Sequence, residues 1–168
     1  MARIASLDAS VATDRMTNAM RGFNMEINET NANHVADVYS NLAAKSASNV
    51  DELSTAMTKT ASIASSANMS FENTAAFLAQ GIETTRESAD TIGTMLKTVI
   101  GRFTEVKEAW TSGDLTAESE GEEINVNKVA KALRAADINL NDFFTGAKGL
   151  DEILIDLSSK WDNLDLVT

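Results

Sequence analysis

The chain of 168 residues contains no cysteine and no proline. Without cysteine there can be no disulfide, thiol nucleophile or thiolate metal site. Without proline nothing breaks a helix from within, so an all-helical reading starts ahead. Aromatic residues are scarce, with two Trp and one Tyr, which gives no hint of an aromatic-lined cleft. Basic residues are in deficit: 14 Lys and Arg stand against 25 Asp and Glu, a net charge of -11. That balance disfavours nonspecific DNA binding, which needs basic groups to displace counterions. It equally disfavours an anionic membrane surface. Apolar runs are only a few residues long, too short to span a bilayer. The opening "MARIASLDAS" lacks the continuous apolar region of a signal peptide.

What is present is helical periodicity. The length suffices for one domain with a core, or a core with a satellite. Ile4, Leu7, Val11, Met16, Met20 and Phe23 recur at mostly helical spacing and predict a helix over 6–21, with Gly22 as its stop. Val35, Val38, Tyr39 and Leu42 share one face of a second helix over 32–45, with Asn31 as its N-cap. A third opens at Ser48, paired with Asp51 as a capping box, and closes near Ala67 with Asn68 left-handed. Ser70 caps a fourth, striped by Phe71, Ala75, Leu78 and Ile82, with Arg86 in its last turn. The fifth is the most regular: Ile92, Met95, Leu96, Val99, Ile100, Phe103 and Val106 follow Ser88, and the helix ends near Trp110.

Beyond it the pattern weakens. "LTAESEGEE" is acidic and aperiodic, so 111–124 reads as a solvated linker. A short helix is predicted over 127–136, then a turn-rich loop or small hairpin over 137–149. A last helix runs over 150–164, with Ile153, Leu154, Leu157, Trp161 and Leu164 on one face. The expected fold class is all-α: a compact multi-helix bundle of about five helices (1–110), the linker (111–124), and a smaller C-terminal helical appendage (125–168), incomplete at its end. No fixed-period repeat marks a solenoid.

Residues 46–80 are built largely of Ala, Ser and Thr. Small faces let helices approach closely. Ser and Thr are mediocre helix formers, so such helices depend on packing against neighbours, in the chain or in another copy. Gly81, Gly93 and Gly101 fall inside predicted helices, where each costs up to about 1 kcal/mol relative to Ala. Close backbone approach is the use that would offset this.

Candidate chemistry is thin. His34 is the one histidine, and with Asp37 it makes at most half a metal site, since no second nitrogen or sulfur ligand exists. It reads as a surface or packing histidine. H-E-x-x-H is excluded by count, and neither G-x-S-x-G nor a glycine-rich phosphate loop occurs. Residues 137–148 imitate a calcium loop through Asp137, Asn139 and Asn141. Asp142 replaces the glycine of position 6, however, and Lys148 the glutamate of position 12. Glu118, Glu120, Glu122 and Glu123 read as a solvated acidic run. Trp110 and Trp161 read as packing anchors. The sequence therefore assigns no catalytic, cofactor-binding or metal residue, and no enzymatic activity.

The words of residues 38–67, "VYSNLAAKSASNVDELSTAMTKTASIASSA", and 70–106, "SFENTAAFLAQGIETTRESADTIGTMLKTVIGRFTEV", resemble the helical core region of phage tail tape-measure proteins. The junction Glu83-Thr84-Thr85-Arg86-Glu87-Ser88 is the most specific piece, supported by Ile92-Gly93, Lys97-Thr98 and Arg102-Phe103. "MTNAMRGFN" (16–24) fits upstream; "KVAKALRAADINL" and "LDEILIDLSSKWDNLD" fit more loosely downstream. Asn68 stands where the family usually has Gly, and Gly81 and Gly101 where it has larger residues or Ala.

The resemblance implies a structural virion protein that lies in the tail lumen, is assembled in the host cytoplasm, sets tail length and aids genome delivery. Its implied partners are further copies, the tail tube, tail assembly chaperones and the baseplate. Family members are usually several times longer, so the resemblance implies a fragment or truncated frame. The competing reading is a free-standing helical interaction module, an adaptor or signalling bundle, which shares the helix pattern without the specific words.

Overall fold

The computed structural model describes residues 8–112, 116–119, 122–125, 137–138 and 140–160. Among these are seven helices and one two-stranded hairpin: α1 (Ala9–Gly22), α2 (Glu29–Lys45), α3 (Val50–Ser66), α4 (Phe71–Thr85), α5 (Ala89–Ser112), β1 (Thr116–Ser119), β2 (Glu122–Asn125), α6 (Asn141–Phe144) and α7 (Leu150–Lys160). The fold is all-α in class, a helical bundle with small C-terminal helices. Packing divides the chain into two compact units, Met1–Val99 and Ile100–Thr168, with the division inside α5.

In the first unit each helix starts on a side-chain acceptor that satisfies an otherwise free N–H. Asp8 accepts from the Ser10 N–H (2.8 Å) at α1. Ser70 and Ser88 accept from the Asn73 and Thr91 N–H groups (each 3.2 Å), where the sequence places them. Two predicted caps are displaced. Asn28, not Asn31, caps α2: Asn28 Oδ1 accepts from the Asn31 N–H (2.9 Å), and the Asn31 side chain donates to the Glu26 carbonyl (2.8 Å). The earlier start gains Glu29 in the first turn, where a carboxylate suits the helix dipole. At α3 the capping box is Asn49 with Glu52, reciprocal at 2.9 Å, one residue later than Ser48 with Asp51. Ser48 is instead buried, its Oγ 2.6 Å from Ser46 Oγ.

Two helix ends share one device. After α3, Asn68 is left-handed (φ 56°); its N–H reaches the Ser65 carbonyl and the Met69 N–H reaches that of Ala64. After α1, Asn24 (φ 55°) does the same, with Asn24 to Arg21 and Met25 to Met20. Both are Schellman endings that return free carbonyls to bonding. Gly22 is thus inside α1 rather than its stop. Arg86 lies beyond the last turn of α4, itself left-handed (φ 60°), rather than within it.

The core of this unit gathers Met20, Val35, Tyr39, Leu53, Met57, Phe71, Leu78 and Ile82 around a bed of alanines. Phe71, at the head of α4, is the aromatic hub. Tyr39 and Phe23 meet it edge-on at centroid separations of 5.4 and 5.5 Å. The expected stripe of α5 is only partly covered: Ile92 is buried and Leu96 half-buried, whereas Met95 and Val99 are exposed.

In the second unit Ile100 and Val106 of α5 are buried, as are Ile138, Leu140, Phe143, Leu150 and Ile153. Lys107 lies over the Phe143 ring, 4.8 Å from its centroid. The stretch read as solvated linker contains the antiparallel β1–β2 hairpin, with Thr116 opposite Asn125 and Glu118 opposite Glu123. Backbone pairing does not require apolar alternation, so acidity concealed it. Among the described residues of 137–149, α6 makes one helical turn in place of a hairpin, and Gly146 follows with φ 77°. The predicted helix over 127–136 and residues Trp161 and Leu164 lie outside the described residues.

Candidate interaction surface

The features that set the first unit apart are the contacts between its helices, and they begin with glycine. Gly93 brings α5 against α3: a Cβ there would lie 2.6 Å from the Ala56 carbonyl oxygen and 3.1 Å from its Cα. The Thr60 hydroxyl sits 3.1 Å from the Ala56 carbonyl and 3.2 Å from that of Gly93, so one buried donor serves the crossing point. Lys59 and Asp90 pair beside it at 3.1 Å. Gly22 packs α1 directly onto Ala61 of α3. Gly81 makes room for Ile92, whose Cγ2 would lie 2.9 Å from an added Cβ. The close backbone approach expected of Gly81 and Gly93 is observed at Gly93, whereas Gly81 admits a side chain, that of Ile92. Gly22 shows close approach too, a role that a glycine near a helix end does not advertise. Gly101 is half-buried.

Charge pairs tie the same helices. Arg15 of α1 pairs with Asp51 of α3, and its guanidinium also donates to the Asp51 carbonyl (3.0 Å) and to Ser54 Oγ (3.1 Å). His34 of α2 meets Glu72 of α4, Nε2 to Oε1 at 2.6 Å, and its ring tilts toward Phe71 at 6.2 Å. Its companion is thus Glu72, not Asp37. The sequence could not show this pairing, because the two residues are 38 positions apart.

Among the described residues the other candidates do not converge. In the imitation calcium loop, Asn141 and Asp142 open α6, and Asp142 pairs with Lys148 at 3.3 Å. Asp137 pairs with Lys160, whose Nζ also reaches the Asp137 carbonyl at 2.5 Å. Asn139 and Glu120 lie outside the described residues, and so do the side chains of Trp110, Trp161, Glu118, Glu122 and Glu123. Among the described residues no three His, Asp or Glu side chains gather to hold a metal, and no helix is long and apolar enough to cross a membrane.

Met95 and Val99 stand one turn apart on α5, 52% and 42% exposed. Acidity is uneven along the chain: residues 1–99 carry eleven acidic and seven basic side chains, residues 100–168 fourteen and seven. Caps, small-residue contacts and ion pairs join the helices of the first unit. A family model described as phage-related minor tail protein matches residues 1–166. No curated protein and no solved structure matches the chain. With the family model spanning nearly its whole length, the chain belongs to the phage-related minor tail protein family.

Proposed function

We propose that this phage tail component is the helical core region of a tape-measure protein, acting in tail-length determination, tail assembly and genome delivery without catalysis. The observation that carries this reading is where the family-like wording falls. Residues 38–106 span the end of α2, all of α3 and α4 and most of α5, and include the Gly81 and Gly93 contacts. The segment organisation follows: a core over 1–110, an acidic stretch over 111–124 and a small helical appendage over 125–168. Its partners are further copies, the tail tube, the assembly chaperone and the baseplate. Its place is the tail lumen, after assembly in the host cytoplasm.

Geometry limits which part of such a protein could be the ruler. As one continuous helix, 168 residues would reach only about 250 Å at ~1.5 Å per residue. The first unit folds back on itself at each capped helix end, so its span is far shorter. The length-setting part must therefore lie outside this unit, which serves as a packing or docking body. The test is to insert helical segments, in frame, outside residues 1–110 of the reading frame that carries this chain, and to measure tails by electron microscopy. The expected result is lengthening of about 1.5 Å per inserted residue. A tail-length distribution that does not move would overturn the assignment.

A further inference from the structure

We propose that Met95 is a reversible oxidation site on the open face of α5, taking up one oxygen atom from a peroxide-class oxidant. The inference does not depend on the tape-measure reading. It starts from how differently the described methionines are placed. Met20, Met57 and Met69 are buried. Met16 and Met25 are half-buried and pack against the core of the first unit. Met95 is the exposed one among the described methionines, and it is absent from the residues packed on that core.

Helix geometry accounts for the difference. Ile92 and Gly93 are buried, Ile92 against Gly81 and Gly93 against Ala56. Met95 follows Gly93 by two positions, a rotation of about 200°, so it leaves the helix on the side away from that crossing. Thr91 and Val99, one turn to either side, and Arg102, two turns on, are exposed as well. Met95 therefore stands in a row open to water.

The chemistry needs only access to the sulfur. A thioether lone pair attacks one peroxide oxygen; the S–O bond forms as the O–O bond breaks. The sulfur is oxidised by two electrons and the peroxide reduced by two, and hydrogen peroxide leaves as water. The product is a polar, chiral sulfoxide that methionine sulfoxide reductases return to the thioether. The chain has no cysteine thiol to compete for the oxidant.

The consequence is confined to the surface. Beside Val99, a sulfoxide dipole replaces an apolar end, and the exposed pair loses its apolar character. At Met20 or Met57, each under 4% exposed, the same oxygen would be buried in an apolar core and would disrupt it. Oxidation at Met95 changes what α5 presents while the core of the first unit stays packed.

Peptide mapping by mass spectrometry tests the site on the full chain in dilute hydrogen peroxide. Each methionine is read on its own peptide, with Met1 set apart because it lies outside the described residues. The Met95 sulfoxide should form at a rate near that of free methionine. Met20, Met57 and Met69 should lag by at least about tenfold, because each waits for a local opening. The chain oxidised at Met95 should keep the thermal midpoint of the untreated protein, and treatment with methionine sulfoxide reductases should restore the thioether. Met95→Leu should remove the early sulfoxide without speeding oxidation elsewhere; the wild-type rates are read independently of that variant. Three results would overturn the proposal. Oxidation of Met95 no faster than that of Met16 or Met25 would remove the site. A lowered midpoint on oxidation at Met95 would mean that the side chain holds the fold rather than faces water. A sulfoxide that the reductases leave in place would end the claim of reversibility.

Discussion

Two packing strategies coexist in one chain. The first unit buries eight alanines, Ala12, Ala19, Ala56, Ala61, Ala64, Ala67, Ala75 and Ala79, and sets glycines at its helix contacts. In the second, the buried hydrophobic residues described are Ile100, Val106, Ile138, Leu140, Phe143, Leu150 and Ile153, while Ala147 is exposed. Small side chains let backbones meet, and a backbone cannot retreat when an atom is added. Large side chains fill space from a distance, and their removal leaves a hole. The first unit should therefore be intolerant of enlargement, and the second of truncation.

The largest expected effect is Phe143→Ala in the second unit. Phe143 is fully buried in a small interior, and its loss should cost about 3–5 kcal/mol. Denaturant unfolding followed through exchange in α7 would show it. A loss under about 1 kcal/mol would mean that the second interior collapses to fill the hole, and the contrast between units would fail. Next comes Gly93→Ala, one methyl group against the Ala56 carbonyl, expected to cost about 1–3 kcal/mol in the stability of the first unit, read from its urea midpoint. Its control is Gly146→Ala in the second unit. There an added Cβ meets nothing within 4 Å, so only the positive φ of 77° resists, for about 1 kcal/mol. Were Gly93→Ala the milder of the two, close approach would not be what limits the first unit.

Arg86→Gly is smaller and of opposite sign. Arg86 holds a left-handed φ of 60° that glycine adopts freely, so the change should stabilise by up to about 1 kcal/mol. The thermal midpoint of the first unit would report it. The smallest effect is local and pH-linked. The Ser10 side chain and then its N–H hold the fully exposed Asp8 carboxyl below its ordinary range. A lowered folded-state value means the stabilisation is present above the unfolded pKa, ordinarily near 3.8, and is lost as pH falls through the lower folded value. The helical signal of α1 should fray in that acid window, and Asp8→Asn, which keeps the acceptor without the titration, should abolish the fraying.

Signals that act within one or two turns are legible in the residue order alone. Ser70, Ser88 and Asn68 act as their spacing predicts, and the buried residues Phe71, Ala75, Leu78 and Ile82 are the predicted stripe of α4. Where two polar residues lie close together, locality is not enough. Asn28 and Asn31, or Ser48 and Asn49, are chemically near-equal caps, and the choice depends on where the following helix finds its neighbours. The hairpin at 116–125 is hidden for another reason, since backbone pairing leaves little trace in an acidic stretch.

By itself the sequence determined the helical class, most helix boundaries and the tail-protein kinship, because capping, periodicity and word order are properties of neighbours along the chain. Only the tertiary structure decided that Gly22 is a contact rather than a stop, that His34 answers Glu72, that Arg15 latches α1 to α3, and that Met95 and Val99 stay exposed. Each of these depends on which helix lies opposite, a matter of packing between residues tens of positions apart, and no local pattern encodes it.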